Sequence, residues 1–355
     1  MLGLGDVLKT CARVVVIDDS LTMRKWLITI LNSDRRLHVV GEAGDALEAR
    51  EVIKRTSPDV ITLDVEMPRM NGLEFLTRIM RLRPMPVVMI SSETRKGSAA
   101  AVNALSLGAV SYLWKPDNPR DLDTAAVCET VFVAANATVQ GQANTRASQK
   151  PKDSPKRVGR DNQVILVGAS TGGVSAIETF LSKLPTTAPP VVIAQHMPAQ
   201  FLHSFSSRLD ALMPHDIAMA QDGEILERGQ VRIAQSCDLQ TAAKQTSMGW
   251  QIIMEPPDGY EKYRPSVEHL FRSTVRYASN VIAVIMTGLG NDGAQSMRHL
   301  RENGALTLGQ SESSCVVYGM PRAAMEIGAV QEQVHIDKIA NRLVALCESH
   351  QEASP

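Results

Sequence analysis

Residues 164–176 read VILVGASTGGVSA, an apolar run that breaks into glycines around Ser170. Two phosphate-binding readings of this stretch fail on single residues. Gly168 and Gly173 have the separation of a Walker-type loop, but Val174 stands where that loop needs its lysine. The dinucleotide fingerprint G-x-G-x-x-G needs a second glycine where Ser170 stands. Gly168, Ser170 and Gly172 do satisfy the nucleophile turn G-x-S-x-G. A strand-to-helix turn in which the hydroxyls merely cap the helix satisfies the same letters. The rest of the chain has to choose between these two.

Outward from this stretch, the pattern around Val164 recurs. VILVGAS is followed by PVVIAQH and VIAVIMTGLG, and preceded by RVVVIDD, HVVGEA, DVITLDV, PVVMISS and SYLWKP, with helix-length segments between them. Continuous rather than alternating Val/Ile runs are the signature of strands buried on both faces of a parallel sheet. The expected fold class is therefore α/β, two doubly wound parallel-sheet units. The segment from Asn136 to Asn162 separates them. It is rich in Gln, Ser, Lys and Arg with almost no large apolar residue, and such composition cannot offset the entropy of ordering. The expected division is 12–135 for the first unit, 136–160 for a flexible linker and 161–352 for the second.

The 355 residues are enough for two domains, and 44% hydrophobic with 21% charged residues is ordinary for a soluble globular chain. A formal net charge of −1 supplies no basic field, so nucleic acid is not the expected partner. Five scattered cysteines without a C-x-x-C pair form neither a disulfide framework nor a zinc site. With no signal-like leader and no apolar run of spanning length, a cytoplasmic protein without membrane insertion is expected.

In the first unit, Asp18 and Asp19 end one strand and Asp64 another, while Ser91 and Lys115 end two more. Three carboxylates at one sheet edge repel each other unless a hard, oxygen-loving cation such as Mg²⁺ lies between them. The elements DDS, DVEMPRMNG, SS and WKP over about residues 12–135 resemble the receiver domain of two-component response regulators, a flavodoxin-like fold. The resemblance implies that Asp64 accepts a phosphoryl group, with Asp18, Asp19 and the Glu66 carbonyl helping to hold Mg²⁺. It also implies that Ser91 and Lys115 meet the phosphoryl group and that Tyr112 is the switching aromatic. Trp114, bulkier than the pattern suggests, reads as local packing, part of a face for another domain.

In the second unit a nucleophilic serine needs a base and a group that orients the base. Of eight histidines, His196 alone directly follows an apolar strand at the edge expected for Ser170. Asp292, in the glycine loop after VIAVIM, converges on the same edge and supplies the orienting acid. The chain order Ser, His, Asp differs from that of α/β-hydrolases, so the turn does not bring that fold with it. Backbone N–H groups after Ser170 and near Leu289 are the expected oxyanion donors.

These motifs, together with QHMP, RPSV and VVYGMPRAA, resemble the protein-glutamate methylesterases of bacterial chemotaxis. The resemblance implies phosphorylation-activated hydrolysis of glutamate γ-methyl esters, and deamidation of glutamines, on chemoreceptor cytoplasmic domains. A chemotaxis histidine kinase would be the phosphodonor, and the ester chemistry would need no cofactor. It carries over Ser170 as nucleophile, His196 as base and then acid, Asp292 as orienting acid, and Thr171 and Leu289 as lining residues. One stretch departs: VRIAQSCDLQ from Val231 lacks the proline, glycine and histidine of the family loop, and Cys237 within it reads as a small apolar filler. Arg264 reads either as a contact for an acidic receptor surface or as a helix-entry residue. A peptidase with the same triad and a non-catalytic phosphate sink are the rival readings, and methanol release separates them.

Overall fold

A computed structural model describes residues 11–91, 99–115, 123–139, 158–159, 162–259 and 261–352. The chain divides into two compact units, Met1–Thr145 and Arg146–Pro355.

The first unit alternates strand and helix: β1 (Ala12–Ile17), α1 (Leu21–Ser33), β2 (Leu37–Ala43), α2 (Ala46–Thr56), β3 (Val60–Leu63), α3 (Gly72–Leu82), β4 (Val87–Ser91), α4 (Ala99–Ser106), β5 (Ser111–Trp114) and α5 (Thr124–Ala135). The five strands are parallel in the order β2-β1-β3-β4-β5. Every residue of β3 is buried, Thr62 among its apolar neighbours included. Ser20, Asp45, Asn71 and Asp123 each accept a hydrogen bond from the first turn of α1, α2, α3 and α5. Such capping satisfies otherwise orphaned N–H groups and starts each helix where the strand-end loop needs it. The chain reverses direction across the sheet between β1 and β3, which puts the loops after these two strands side by side at the carboxyl edge.

The second unit comprises β6 (Val164–Ala169), α6 (Gly173–Leu181), β7 (Val191–Gln195), α7 (Ala199–Leu212), β8 (Asp216–Met219), β9 (Gln230–Ile233), β10 (Gln240–Thr246), β11 (Gly249–Glu255), α8 (Val267–Ser273), β12 (Val281–Ile285), α9 (Ala294–Glu302), β13 (Leu306–Gln310), α10 (Met320–Glu326), β14 (Glu332–Val334) and α11 (Ile336–Glu352). Seven of these strands form one parallel sheet, ordered β14-β13-β12-β6-β7-β9-β8. Chain direction reverses between β6 and β12, so the loops beginning at Ser170 and Met286 are neighbours. A core of Val164, Leu166, Val192, Ala194, Leu270, Phe271, Ala283 and Ile285 lies beneath them.

The structure adds elements that the apolar pattern does not announce. The interval between PVVIAQH and VIAVIM holds β8, β9 and an antiparallel hairpin of β10 and β11, not helix-length segments alone. Val139 still packs on the first unit's core. Val158 is buried, and Arg228 donates to its carbonyl and to that of Gly159. The expected linker thus has folded residues at both ends, and residues 140–157 lie outside the described residues. Cys237 is exposed, not a buried filler, because its loop runs along the surface; its Sγ donates to the Leu239 carbonyl at 3.3 Å.

Candidate functional site

Ser170 is the first residue past β6, and its neighbours fix its backbone on three sides. Its N–H donates to the Thr287 carbonyl at 3.0 Å, and its carbonyl accepts from Gly173 N–H at 2.8 Å and from the Gln195 amide at 2.9 Å. Gly172 then turns the chain with φ +79° and opens α6, a conformation that a side chain would strain. Opposite, Gly288 lies so close that a Cβ on it would be 2.6 Å from the Ser170 Cβ and 2.4 Å from the Met320 Sδ. Only glycine lets the loop after β12 approach the serine this closely. Thr287 braces the same junction: its buried hydroxyl donates to the Thr171 carbonyl at 2.9 Å and accepts from Val317 N–H at 3.0 Å.

His196 follows β7 and its N–H donates to the Ala169 carbonyl at 3.0 Å, tying it to the residue before Ser170. Its Nε2 meets Asp292 Oδ2 at 2.7 Å, with the two side chains only 9% and 8% exposed. The Nδ1 edge of the ring is therefore the one left to serve a nucleophile, the reverse of the familiar arrangement in which Nε2 faces the serine. No hydrogen bond joins Ser170 to His196 among the described residues. Asp292 is held from the other side by the start of α8. Val267 N–H donates to Oδ2 at 2.7 Å, and Glu268 N–H and the Ser266 hydroxyl donate to Oδ1 at 3.1 and 3.2 Å. These are the orphan N–H groups of a helix N-terminus spent on a carboxylate.

Thr171 is half-buried beside this group, and Leu289 is 42% exposed at the rim. Motif reading missed three residues here. Tyr263 stacks on the His196 ring with centroids 4.1 Å apart and planes at 12°. Ser266 both caps α8 and touches Asp292. Gln240, the last residue of the departing stretch and the first of β10, donates to the Tyr263 carbonyl and accepts from Ser266 N–H, each at 3.0 Å. The RPSV letters were the available signal, since they mark the segment carrying two of the three. Arg264, at the helix entry, pairs with Asp238 at 3.0 Å. Behind this segment Glu261 accepts from Arg272 at 2.9 Å and meets His269 Nδ1 at 2.9 Å. Burial pushes the Glu261 carboxyl upward, but hydrogen bonds from His269, from backbone N–H groups and from Arg272 outweigh it and hold it at about 2.

In the first unit, Asp18 and Asp64 are buried side by side and Asp19 is exposed next to them, with ligand atoms of all three within 4.8 Å. Lys115 reaches both buried carboxylates, at 2.8 Å from Asp64 and in close contact with Asp18. Burial raises the Asp64 carboxyl to about 6; Lys115 pulls it down and the charge of Asp18 pushes it up. Burial lowers the Lys115 ammonium, but its bonds to Asp18 and Asp64 prevail and the net shift is upward. Three carboxylates against one ammonium leave about two negative charges uncompensated, a donor set of hard oxygens that fits Mg²⁺. Asp64 Oδ1 accepts from Glu66 N–H at 3.4 Å. Tyr112 is half-buried against the core. The side chains of Ser91 and Trp114 lie outside the described residues.

Comparison with known proteins gives the same two units. Residues 14–127 match the response regulator receiver domain model and residues 165–343 the CheB methylesterase model. The protein-glutamate methylesterase/protein-glutamine glutaminase of Rhizobium etli is 43% identical over 347 residues, covering 97% of this chain and 99% of the relative. The protein-glutamate methylesterase/protein-glutamine glutaminase 1 of Caulobacter vibrioides is 43% identical over 343 residues, covering 95% and 98%. The crystal structure of the Thermotoga maritima CheB methylesterase catalytic domain is matched over its whole length and 53% of this chain, with 30% identity and a TM-score of 0.50.

Proposed function

The chain belongs to the CheB-type protein-glutamate methylesterase/protein-glutamine glutaminases with an N-terminal receiver, and we propose that Ser170, His196 and Asp292 are the residues with which it works. The enzyme hydrolyses protein glutamate methyl esters and glutamine amides in chemotactic adaptation, under control of its receiver. The observation that supports the triad is the 2.7 Å contact of His196 Nε2 with Asp292 at the sheet edge that carries Ser170.

His196 Nδ1 takes the Ser170 proton as Oγ attacks the ester carbonyl. Asp292, fixed by the N–H groups of α8, holds the tautomer and balances the imidazolium. The N–H groups of Thr171 and Leu289 are the donors for the tetrahedral oxyanion, where water-excluded dipoles act most strongly. The imidazolium then protonates the leaving methanol or ammonia. A water, deprotonated by the same nitrogen, releases glutamate and frees Ser170. Substrates are the cytoplasmic domains of chemoreceptors, reached from the cytoplasm; among the described residues no helix is long and apolar enough to cross a membrane.

In the receiver, Asp64 accepts the phosphoryl group from a chemotaxis histidine kinase. Asp18, Asp19, Asp64 and the Glu66 carbonyl would hold Mg²⁺, which would supply charge neutralisation when bound. Lys115 and Ser91 meet the phosphoryl oxygens, and Tyr112 responds to them. The units concerned are residues 12–135 and 161–352, with 136–160 between them.

Ser170→Ala should abolish methanol release from methylated receptor membranes, and Asp292→Asn should lower it by up to about 10⁴ by favouring the wrong tautomer. Wild-type turnover in either folded variant would remove the assignment.

A further inference from the structure

We propose that Tyr263 is a positioning residue for His196, locked in place by Gln240; this rests on the triad reading above. The imidazole has one strong tether, Nε2 to Asp292 at 2.7 Å. A ring held at one atom can still pivot about that contact and swing its other nitrogen away from the nucleophile. Tyr263 removes this freedom. Its ring lies face to face with the imidazole, centroids 4.1 Å apart and 12° from parallel, so tilting the imidazole toward it meets a wall. Its hydroxyl end lies beside Gly290, where a Cβ would be 3.5 Å from it. The phenol thus spans from His196 to the loop that delivers Asp292.

The wall is itself braced. Gln240 is 1% exposed, and both ends of its amide are used on a single short segment: Nε2 donates to the Tyr263 carbonyl and Oε1 accepts from Ser266 N–H, each at 3.0 Å. Ser236 donates to the Arg264 carbonyl between them at 2.8 Å. One buried side chain therefore sets both the residue that stacks on the base and the residue that bonds the orienting acid. The stacked face also lies over the ring when it becomes imidazolium, where an aromatic quadrupole attracts positive charge. The stretch from Val231 to Gln240 that departs from the family pattern thus supports the residue stacked on the base, through Ser236 and Gln240.

Steady-state methanol release from methylated receptor membranes, with kcat and KM resolved, tests this. Tyr263→Ala and Tyr263→Leu should lower kcat by about 10- to 100-fold, the scale of a small misplacement of a reacting group, with KM within about twofold. Tyr263→Phe keeps the face and should return kcat to within about threefold of wild type. Gln240→Leu should lower kcat in the same sense with KM unchanged. A rise in KM at unchanged kcat would make Tyr263 a substrate contact and overturn the proposal, as would equal losses in the Phe and Ala variants. Tyr263→Leu, which keeps an apolar bulk, serves if the Ala variant does not fold. Turnover by Ser170→Ala in the same assay would instead condemn the triad and leave the stacking question separate.

Discussion

A carboxylate buried at a sheet edge is kept dry at a cost, and Asp64 shows its size. Its folded carboxyl lies near 6, above the 3.8 of an unperturbed aspartate, with burial the main cause. Between those values the folded receiver binds more protons than the unfolded chain, so stability falls as pH rises through about 6. At pH 7 without divalent cation the ionised Asp64 opposes folding. Asp64→Asn should therefore stabilise the receiver in EDTA at pH 7 by on the order of 3 kcal/mol, raising its melting temperature, and flatten its pH dependence between 5 and 7. Mg²⁺ should stabilise wild type and leave the variant nearly unmoved. Calorimetry at two pH values reads both, and a variant less stable than wild type in EDTA would refute the assignment of burial as the dominant cause. At this scale the sequence reveals the residues that end strands, Ser170, His196, Asp18 and Asp64, since an apolar run points at the next letter. It does not reveal which imidazole nitrogen meets Asp292, because that depends on a rotamer. Nor does it reveal Gln240 and Tyr263, whose roles come from contacts across more than twenty residues of chain.

Among the elements, α8 matters more than its seven residues suggest. It contributes to the core through Val267, Leu270 and Phe271, and its first turn gives two N–H groups to Asp292. Ser266 joins the two tasks: its hydroxyl accepts from His269 N–H at 3.1 Å as the cap and donates to Asp292 at 3.2 Å. Ser266→Ala should cost about 1 kcal/mol of stability, the usual loss of a cap, and also lower kcat by about tenfold through the freed carboxylate. Thermal melts and methanol release measured on one preparation separate the two. A stability loss with unchanged kcat would mean that the backbone N–H groups alone fix Asp292. Legibility of the elements follows burial chemistry. β6 and β12 are unbroken apolar runs, and β3 and β7 depart from one only at Thr62 and at the closing Gln195, so all four read at once. β13 (LTLGQ) and β9 (QVRI) are also interior strands, each one in from an edge, but carry buried polar side chains with dedicated partners. Gln310 accepts from Thr287 N–H at 2.9 Å, and Arg232 pairs with Asp216 and Glu224 at 3.0 and 2.6 Å. A polar letter inside a strand looks like a loop until its partner, far along the chain, is known.

For the molecule as a whole, two sheets each carry their candidate site at the point where strand order reverses, and the control of one by the other is a thermodynamic coupling. The two units have separate cores, and the chain matches the whole length of a catalytic domain crystallised by itself, over 53% of its own residues. A fragment beginning at Val158 is therefore expected to fold. Starting there retains the Val158 and Gly159 carbonyls that Arg228 binds at 2.6 and 3.0 Å, which a cut at 161 would discard. If the unphosphorylated receiver disfavours the competent state by about 1.4 to 2.8 kcal/mol, the fragment should exceed the full chain by roughly 10- to 100-fold in methanol release. Acetyl phosphate with Mg²⁺ should recover much of that difference in the full chain, leave the fragment unchanged, and do nothing for Asp64→Asn. Because coupling is reciprocal, a receptor that engages the catalytic unit should also prolong phosphorylation of Asp64. Identical rates for the fragment and for the full chain with and without phosphodonor would mean that the receiver sets where the enzyme works, not how fast. A fragment slower than the unphosphorylated full chain would mean that the receiver supports the site it controls.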